Sequence, residues 1–396
     1  MVRLLNWRVA ISGVLLSVGL AACSSTEEPD YAELQTFEEQ VSVNVAWKAN
    51  VGPGSDEHYS RLAPVYDDGV VFAAERHGNV VALNADNGRR LWRQDLTPAT
   101  GFSLLGLFRK GPPAKLAGGL TLDGDTLYVG NESGMLYAIN KDNGEIQWQS
   151  QLEGEVISAP AVGEGYVVLH LGNGMVVSLN AADGEEQWRH EEEVPALTLR
   201  GSSSPVISAG GVILGTNNGR AAVLVLESGQ MAWDERVATP SGGSDLERIV
   251  DIDATPVVRG DQVYMLAFNG ELVALELRTG EVVWRRDYQG HRTPQVAGSR
   301  IFLTTSESHV VAVDRLSGNE SWRSADLYGR SLTEPAVLSG QLVVADRFGF
   351  VHWLDRDSGQ MMGRYEASDP IQVAPIRAGD KVIVMTIDGR LVALTD

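Results

Sequence analysis

The chain has 396 residues, with 52 Asp and Glu against 32 Lys and Arg, a formal charge of -20 and one cysteine. That acidity opposes binding to nucleic acid and to anionic lipid through phosphate contacts. A single cysteine excludes a disulfide framework and a cysteine metal cluster.

Arg3 and Arg8 precede a mostly apolar run from Val9 to Leu20, which reads as a signal segment too short to span a membrane comfortably. It ends in Leu20-Ala21-Ala22-Cys23, which resembles a bacterial lipobox. The resemblance implies a signal peptide over 1–22 and a lipidated Cys23 as the new N-terminus. Ser24, in place of aspartate, implies onward transport to the outer membrane. An ordinary secreted protein with an unused thiol is the plainer alternative. Residues 24–42 hold six carboxylates and no Lys or Arg, so 23–42 is expected to be a lipidated, solvated acidic tether.

From Val43 onward the chain repeats. A turn, an alternating apolar run, a second turn and a tryptophan recur in HGNVVALNADNGRRLW (to Trp92), SGMLYAINKDNGEIQW (to Trp148), NGMVVSLNAADGEEQW (to Trp188) and NGELVALELRTGEVVW (to Trp284), with weaker copies ending at Trp233 and Trp322. Each tryptophan follows a glycine by four residues, and one copy places Gly363 where the tryptophan is expected. Period-2 alternation, glycine turns and a proline near the start of the inner strands, such as Pro160, Pro205 and Pro256, with Gly118 in the equivalent place of the second unit, predict four short antiparallel strands per repeat. Such repeats describe propeller blades. The predicted fold over 43–396 is all-β: an eight-bladed β-propeller of four-stranded antiparallel blades. The last copy, DGRLVALTD, stops before its fourth strand, whereas VNVAWKANV brings Trp47 with no third strand before it. Pairing the two chain ends would complete the eighth blade and close the ring. Identical placement of the tryptophans in successive units predicts packing between blades rather than a ligand cage.

No phosphate-binding glycine motif, zinc-protease motif, serine elbow or calcium loop occurs, and the seven histidines lack ligand spacing. No catalytic residue, cofactor or metal is expected. The distinctive segments are instead connections between blades. Trp188 to Pro205 takes 17 residues and Trp233 to Pro256 takes 23, which makes room for ALTLRG and for SGGSDLERIVDID. Both should emerge on one rim. Leu197 and Leu199, with Arg200, Asp251 and Asp253 around them, form either a small interface, apolar anchor within polar surround, or a cap on the core in which Arg200 pairs with an aspartate. Residues 97–117, with Phe102, Leu104, Leu105, Leu107 and Phe108, are either an exposed apolar patch or a segment folded back on the propeller.

The G-x-x-x-W repeat is similar to that of the quinoprotein family, whose dehydrogenases typically hold their quinone with a vicinal disulfide and a calcium site; this chain has no cysteine left for the former. The lipobox, acidic tether, ALTLRG (196–201) and VDIDATPVV (250–258) more closely resemble the BamB family of lipoproteins of the outer-membrane β-barrel assembly machinery, over the whole chain. That resemblance implies a non-enzymatic scaffold, lipid-anchored at the periplasmic face of the outer membrane. It would bind the POTRA domains of BamA through Leu197, Leu199, Arg200, Asp251 and Asp253, reach other subunits indirectly and assist unfolded barrel precursors. A periplasmic ligand-binding propeller lipoprotein and a PQQ-dependent dehydrogenase are the competing classes, and cofactor spectra would separate the latter.

Overall fold

The alternating runs form thirty-two strands arranged as eight four-stranded antiparallel sheets. The computed structural model describes residues 30–55, 58, 60–98, 111–338 and 340–396, among which there is no helix. Blades 1 to 7 span 65–95, 116–151, 161–191, 206–236, 257–286, 295–324 and 336–366, each with its strands in chain order from the axis outward. Blade 8 takes three strands from 376–395 and its outer strand from Asn44–Asn50, which runs antiparallel to Arg390–Thr395 with Asn50 opposite Arg390. The two irregular chain ends thus complete each other, and the ring closes as expected. The core lies between blades, in apolar clusters that each join neighbouring sheets; one unites Phe72, Ala82, Leu127 and Ile139 of blades 1 and 2.

A recurring lock holds adjacent blades. In every third-to-fourth strand pairing the register slips by one residue just before the tryptophan position, as between Ala82–Trp92 and Leu83–Arg90, and in blade 7 before Gly363; a bulge of this kind re-aims the side chain that follows it. Seven tryptophans, Trp47, Trp92, Trp148, Trp188, Trp233, Trp284 and Trp322, donate their indole N–H to a carbonyl of the next blade at 2.7–3.1 Å. The accepting residue in each case lies three positions before that blade's turn glycine. The glycine itself meets the indole face: a Cβ on Gly88, Gly144, Gly184, Gly229, Gly280, Gly318 or Gly359 would come within 2.5–2.7 Å of the ring, and all seven have positive φ. The spacing of glycine and tryptophan therefore records two contacts, the glycine receiving one neighbour and the tryptophan reaching the other.

The exception, Gly363 of blade 7, faces the closing blade, whose last strand ends the chain and has no such turn. There the incoming N-terminal segment fills the place of an indole: the Gly363 Cα lies against Val41 and Val43, and a Cβ would be 2.9 Å from the Val41 carbonyl oxygen. Gln40 and Val41 donate their backbone N–H to the Met362 carbonyl at 2.9 and 3.0 Å. Upstream, the Arg364 guanidinium sits over the Phe37 ring at 4.9 Å and donates to the Gln35 carbonyl. The sequence reading placed a solvated tether over 23–42; its part from Tyr31 onward instead lies along the outer strand of blade 7. The physical reason is that the carboxylates of this segment alternate with Tyr31, Leu34, Phe37 and Val41, which find apolar surface left uncovered where blade 7 lacks its tryptophan. The signal segment and Cys23 lie outside the described residues, as does most of the apolar stretch within 97–117; its described end turns inward, with Ala114, Leu116 and Ala117 buried.

Candidate functional site

The two long connections, 192–205 before blade 4 and 237–256 before blade 5, lie side by side on one rim. The second is held from below by its own apolar residues: Val250 and Ile252 are buried in the cluster that joins blades 4 and 5. Between them Asp251 is carried into the interior, only 1% exposed, and its Oδ2 accepts the backbone N–H of Leu199 at 2.6 Å. Asp253 is also buried, and its carboxylate packs against Gly201 so closely that a Cβ there would meet Oδ1 at 2.5 Å. Ser203 Oγ donates to the Ala254 carbonyl at 3.0 Å, and Arg61, from the connection leading into blade 1, donates to the Ser202 carbonyl at 2.9 Å. The segment 199–203 is thereby fixed at each step.

The outer residues have a different character. Leu197 is 47% exposed and borders a hollow of about 710 Å³ shared with Pro195, Pro240 and Ile249. Leu199 is half-buried and, with Arg200, borders a second hollow of about 240 Å³ that reaches Arg61, Asp253 and His291 near the propeller axis. Arg200 pairs with neither aspartate. It reaches across to Glu132 of blade 2 at 3.0 Å and to Glu155 at 3.7 Å, leaving about half of its side chain exposed. Glu132 is also gripped by Arg76 through both guanidinium nitrogens.

The five residues singled out from the sequence are therefore brought together, in two layers. Leu197 and Arg200 face outward, and Asp251 and Asp253 lie inside as supports, with Leu199 between. The reading in which Arg200 pairs with Asp251 or Asp253 is replaced by the Glu132 and Glu155 contacts, and Leu197 does not cap the core. Sequence reasoning missed Arg61, Arg76 and Glu132, which stand at unremarkable positions elsewhere in the chain and reach this site only through ring geometry, Glu132 pairing with Arg200, Arg76 with Glu132, and Arg61 with the Ser202 carbonyl. It also missed Leu246, 69% exposed in the neighbouring loop, whose signal was a lone leucine among polar residues in SGGSDLERIVDID.

Electrostatics follow the same division. Burial raises Asp251 to about 7, against the Leu199 N–H and with the Asp253 charge adding to the rise. Burial also raises Asp253, opposed by Arg61. For Glu132 burial is outweighed by hydrogen bonds and charge from Arg76 and Arg200, which hold it down at about 2. The outer pair is thus ionised at neutral pH, whereas the inner pair resists charge. Among the described residues no group of three or more His, Cys, Asp or Glu is placed to hold a metal ion.

A family model described as outer membrane protein assembly factor BamB matches residues 39–103, 76–324 and 306–396. The chain is 39% identical over 396 residues to the outer membrane protein assembly factor BamB of Alteromonas naphthalenivorans, covering 96% of this chain and 94% of that one. It is 36% identical over 393 residues to the protein of the same name from Escherichia coli strain K12, covering 98% and 99%. Among solved structures, BamB from Moraxella catarrhalis superposes with a TM-score of 0.78 over 90% of this chain and all of that one, at 21% identity. A quinohemoprotein alcohol dehydrogenase from Comamonas testosteroni gives 0.65 over 89% of this chain and 76% of that one, at 13% identity, a likeness of fold alone.

Proposed function

Because the chain belongs to the family of the outer membrane protein assembly factor BamB, we propose that it serves outer-membrane protein assembly as a non-enzymatic scaffold that binds the periplasmic POTRA domains of BamA. Cys23 anchors it by lipid to the periplasmic face of the outer membrane, where barrel precursors are handed on. Leu197, Leu199 and Arg200 form the contact; Asp251 and Asp253 act through them by fixing the loop.

The observation that carries this reading is an exposed leucine on a loop whose backbone is immobilised. Leu197 is half exposed although Leu199, two residues on, is tied down by a buried carboxylate. A loop already ordered before binding loses little conformational entropy on association, so an apolar anchor there yields more affinity than the same leucine on a free loop. Arg200 and Glu132 supply the polar surround. A photo-crosslinking residue at position 197 in intact cells tests the reading. It should capture BamA, while the same residue at Asp123, on the opposite face, should not. Capture from position 123 alone would place the contact elsewhere.

A further inference from the structure

The rim that carries these loops also carries the point where the chain leaves the propeller. In each blade the first-to-second and third-to-fourth turns lie at one end of the strands. The second-to-third turns and the blade-to-blade connections lie at the other, and residues 192–205 and 237–256 are of this latter kind. Tyr31 packs its ring on Phe348, in the second-to-third turn of blade 7, with centroids 4.7 Å apart. Ala32 donates its N–H to the Tyr328 carbonyl, in the connection entering that blade, at 2.8 Å. From there the segment descends along Met361–Glu366 to reach Met362 at the far end and turns back as Asn44–Asn50.

This exit is built on a rigid base. Buried Asp346 accepts from Arg330 Nε at 2.6 Å and lies 3.0 Å from His352 Nε2, while its other oxygen accepts the N–H groups of Phe348 and Phe350. The Arg330 guanidinium covers one side of the Phe348 ring at 4.5 Å, and exposed Arg347 lies 4.9 Å from Phe348 and 5.8 Å from Tyr31. Tyr328 beside it is 41% exposed.

We propose that this rim is a phospholipid-contact surface, with Tyr31, Tyr328 and Phe348 at headgroup level and Arg347 on a lipid phosphate, so that the partner-binding face is turned toward the membrane. The proposal rests on acylation of Cys23, part of the reading above. Residues 24–30 are all that separates Cys23 from Tyr31, and that length of chain reaches at most about 28 Å. The Tyr31 rim is thereby the end of the propeller nearest the anchor, and the opposite ends of the strands lie farther along by the length of a five- or six-residue strand, roughly 17–20 Å. Exposed Asp326 and Glu307 flank the patch, so bulk attraction to anionic lipid does not drive the contact. A short tether does so by raising the local concentration of the patch at the surface to about the millimolar range. Tyrosine is suited to the interface by its amphipathic ring, and arginine by a planar fork that matches phosphate.

The test uses acylated full-length protein in vesicles of phosphatidylethanolamine and phosphatidylglycerol, with a fluorophore at Glu307→Cys on this rim or at Asp183→Cys in the opposite turns of blade 3. Quenching by headgroup-labelled lipid should be several-fold greater at 307. Tyr328→Ser with Arg347→Glu should bring the two values together without lowering the melting temperature. Equal quenching at both positions in the parent protein, stronger quenching at 183, or an unchanged ratio in the double variant would overturn the proposal. So would protein that fails to float with the vesicles, which removes the anchor itself. The vesicles contain no BamA, so loss of partner binding leaves this experiment unaffected.

Discussion

The backbone N–H of Leu199 donates to Asp251 Oδ2 at 2.6 Å across 52 residues of chain, so a buried carboxylate in one blade connection sets the shape of the connection before it. Removing that acceptor leaves a backbone N–H unsatisfied beside the buried site, which costs about 1–3 kcal/mol. Asp251→Ala should therefore release the 196–201 loop and weaken BamA co-purification, while Asp251→Asn, which keeps an acceptor, should retain most of it. Equal loss in both variants would mean that the aspartate itself touches the partner.

The same residue gives a pH signature. Its carboxyl sits at about 7 in the fold, above the 3.8 of an ordinary aspartate, chiefly because it is buried. A raised acid binds its proton more tightly when folded, so its contribution to stability is fully present below about pH 4 and is lost as pH rises through about 7. Chemical denaturation across this range should show the parent losing stability relative to Asp251→Asn as pH rises. A relative gain would contradict the assignment.

The blade lock predicts unequal sensitivities at two glycines with nearly the same φ. Gly280→Ala forces a methyl to 2.6 Å from Trp233 at φ +77, whereas Gly69→Ala meets nothing within 4 Å at φ +80. The second should cost about 1–2 kcal/mol from the left-handed backbone alone. The first adds an overpacking cost of about 1–3 kcal/mol. Similar melting temperatures for the two variants would show that the indole contact contributes nothing.

The N-terminal segment gives a third contrast. Deleting 24–30 should leave the melting temperature of the non-acylated protein unchanged, while deleting 31–41 should lower it by several degrees, because Val41 and its neighbours cover the Gly363 side of the closing blade. Equal effects would mean that this segment is a tether throughout.

The blades and their closure were legible in the sequence because both follow from local alternation and from a strand missing at one end and surplus at the other. The extra length before Pro205 and Pro256 likewise marked the two loops. What sequence could not resolve were contacts set by the ring. Glu132 stands in an ordinary blade-2 turn, yet the ring brings it to Arg200. Tyr31 to Val41 looked like a tether because six carboxylates in 24–42 hide an apolar set whose partner surface exists only where Gly363 replaces a tryptophan.

The most direct test of the interface is titration of the purified BamA POTRA region with the parent protein and with Leu197→Ala combined with Arg200→Ala, each melted in parallel. Leu197 is half exposed, and Glu132 keeps Arg76 when Arg200 is lost, so the double variant should melt within a degree or so of the parent. Its affinity should fall by about tenfold or more, as for an interface anchor. Unchanged affinity, or a loss that appears only as the propeller unfolds, would contradict the assignment of this loop as the partner-binding surface.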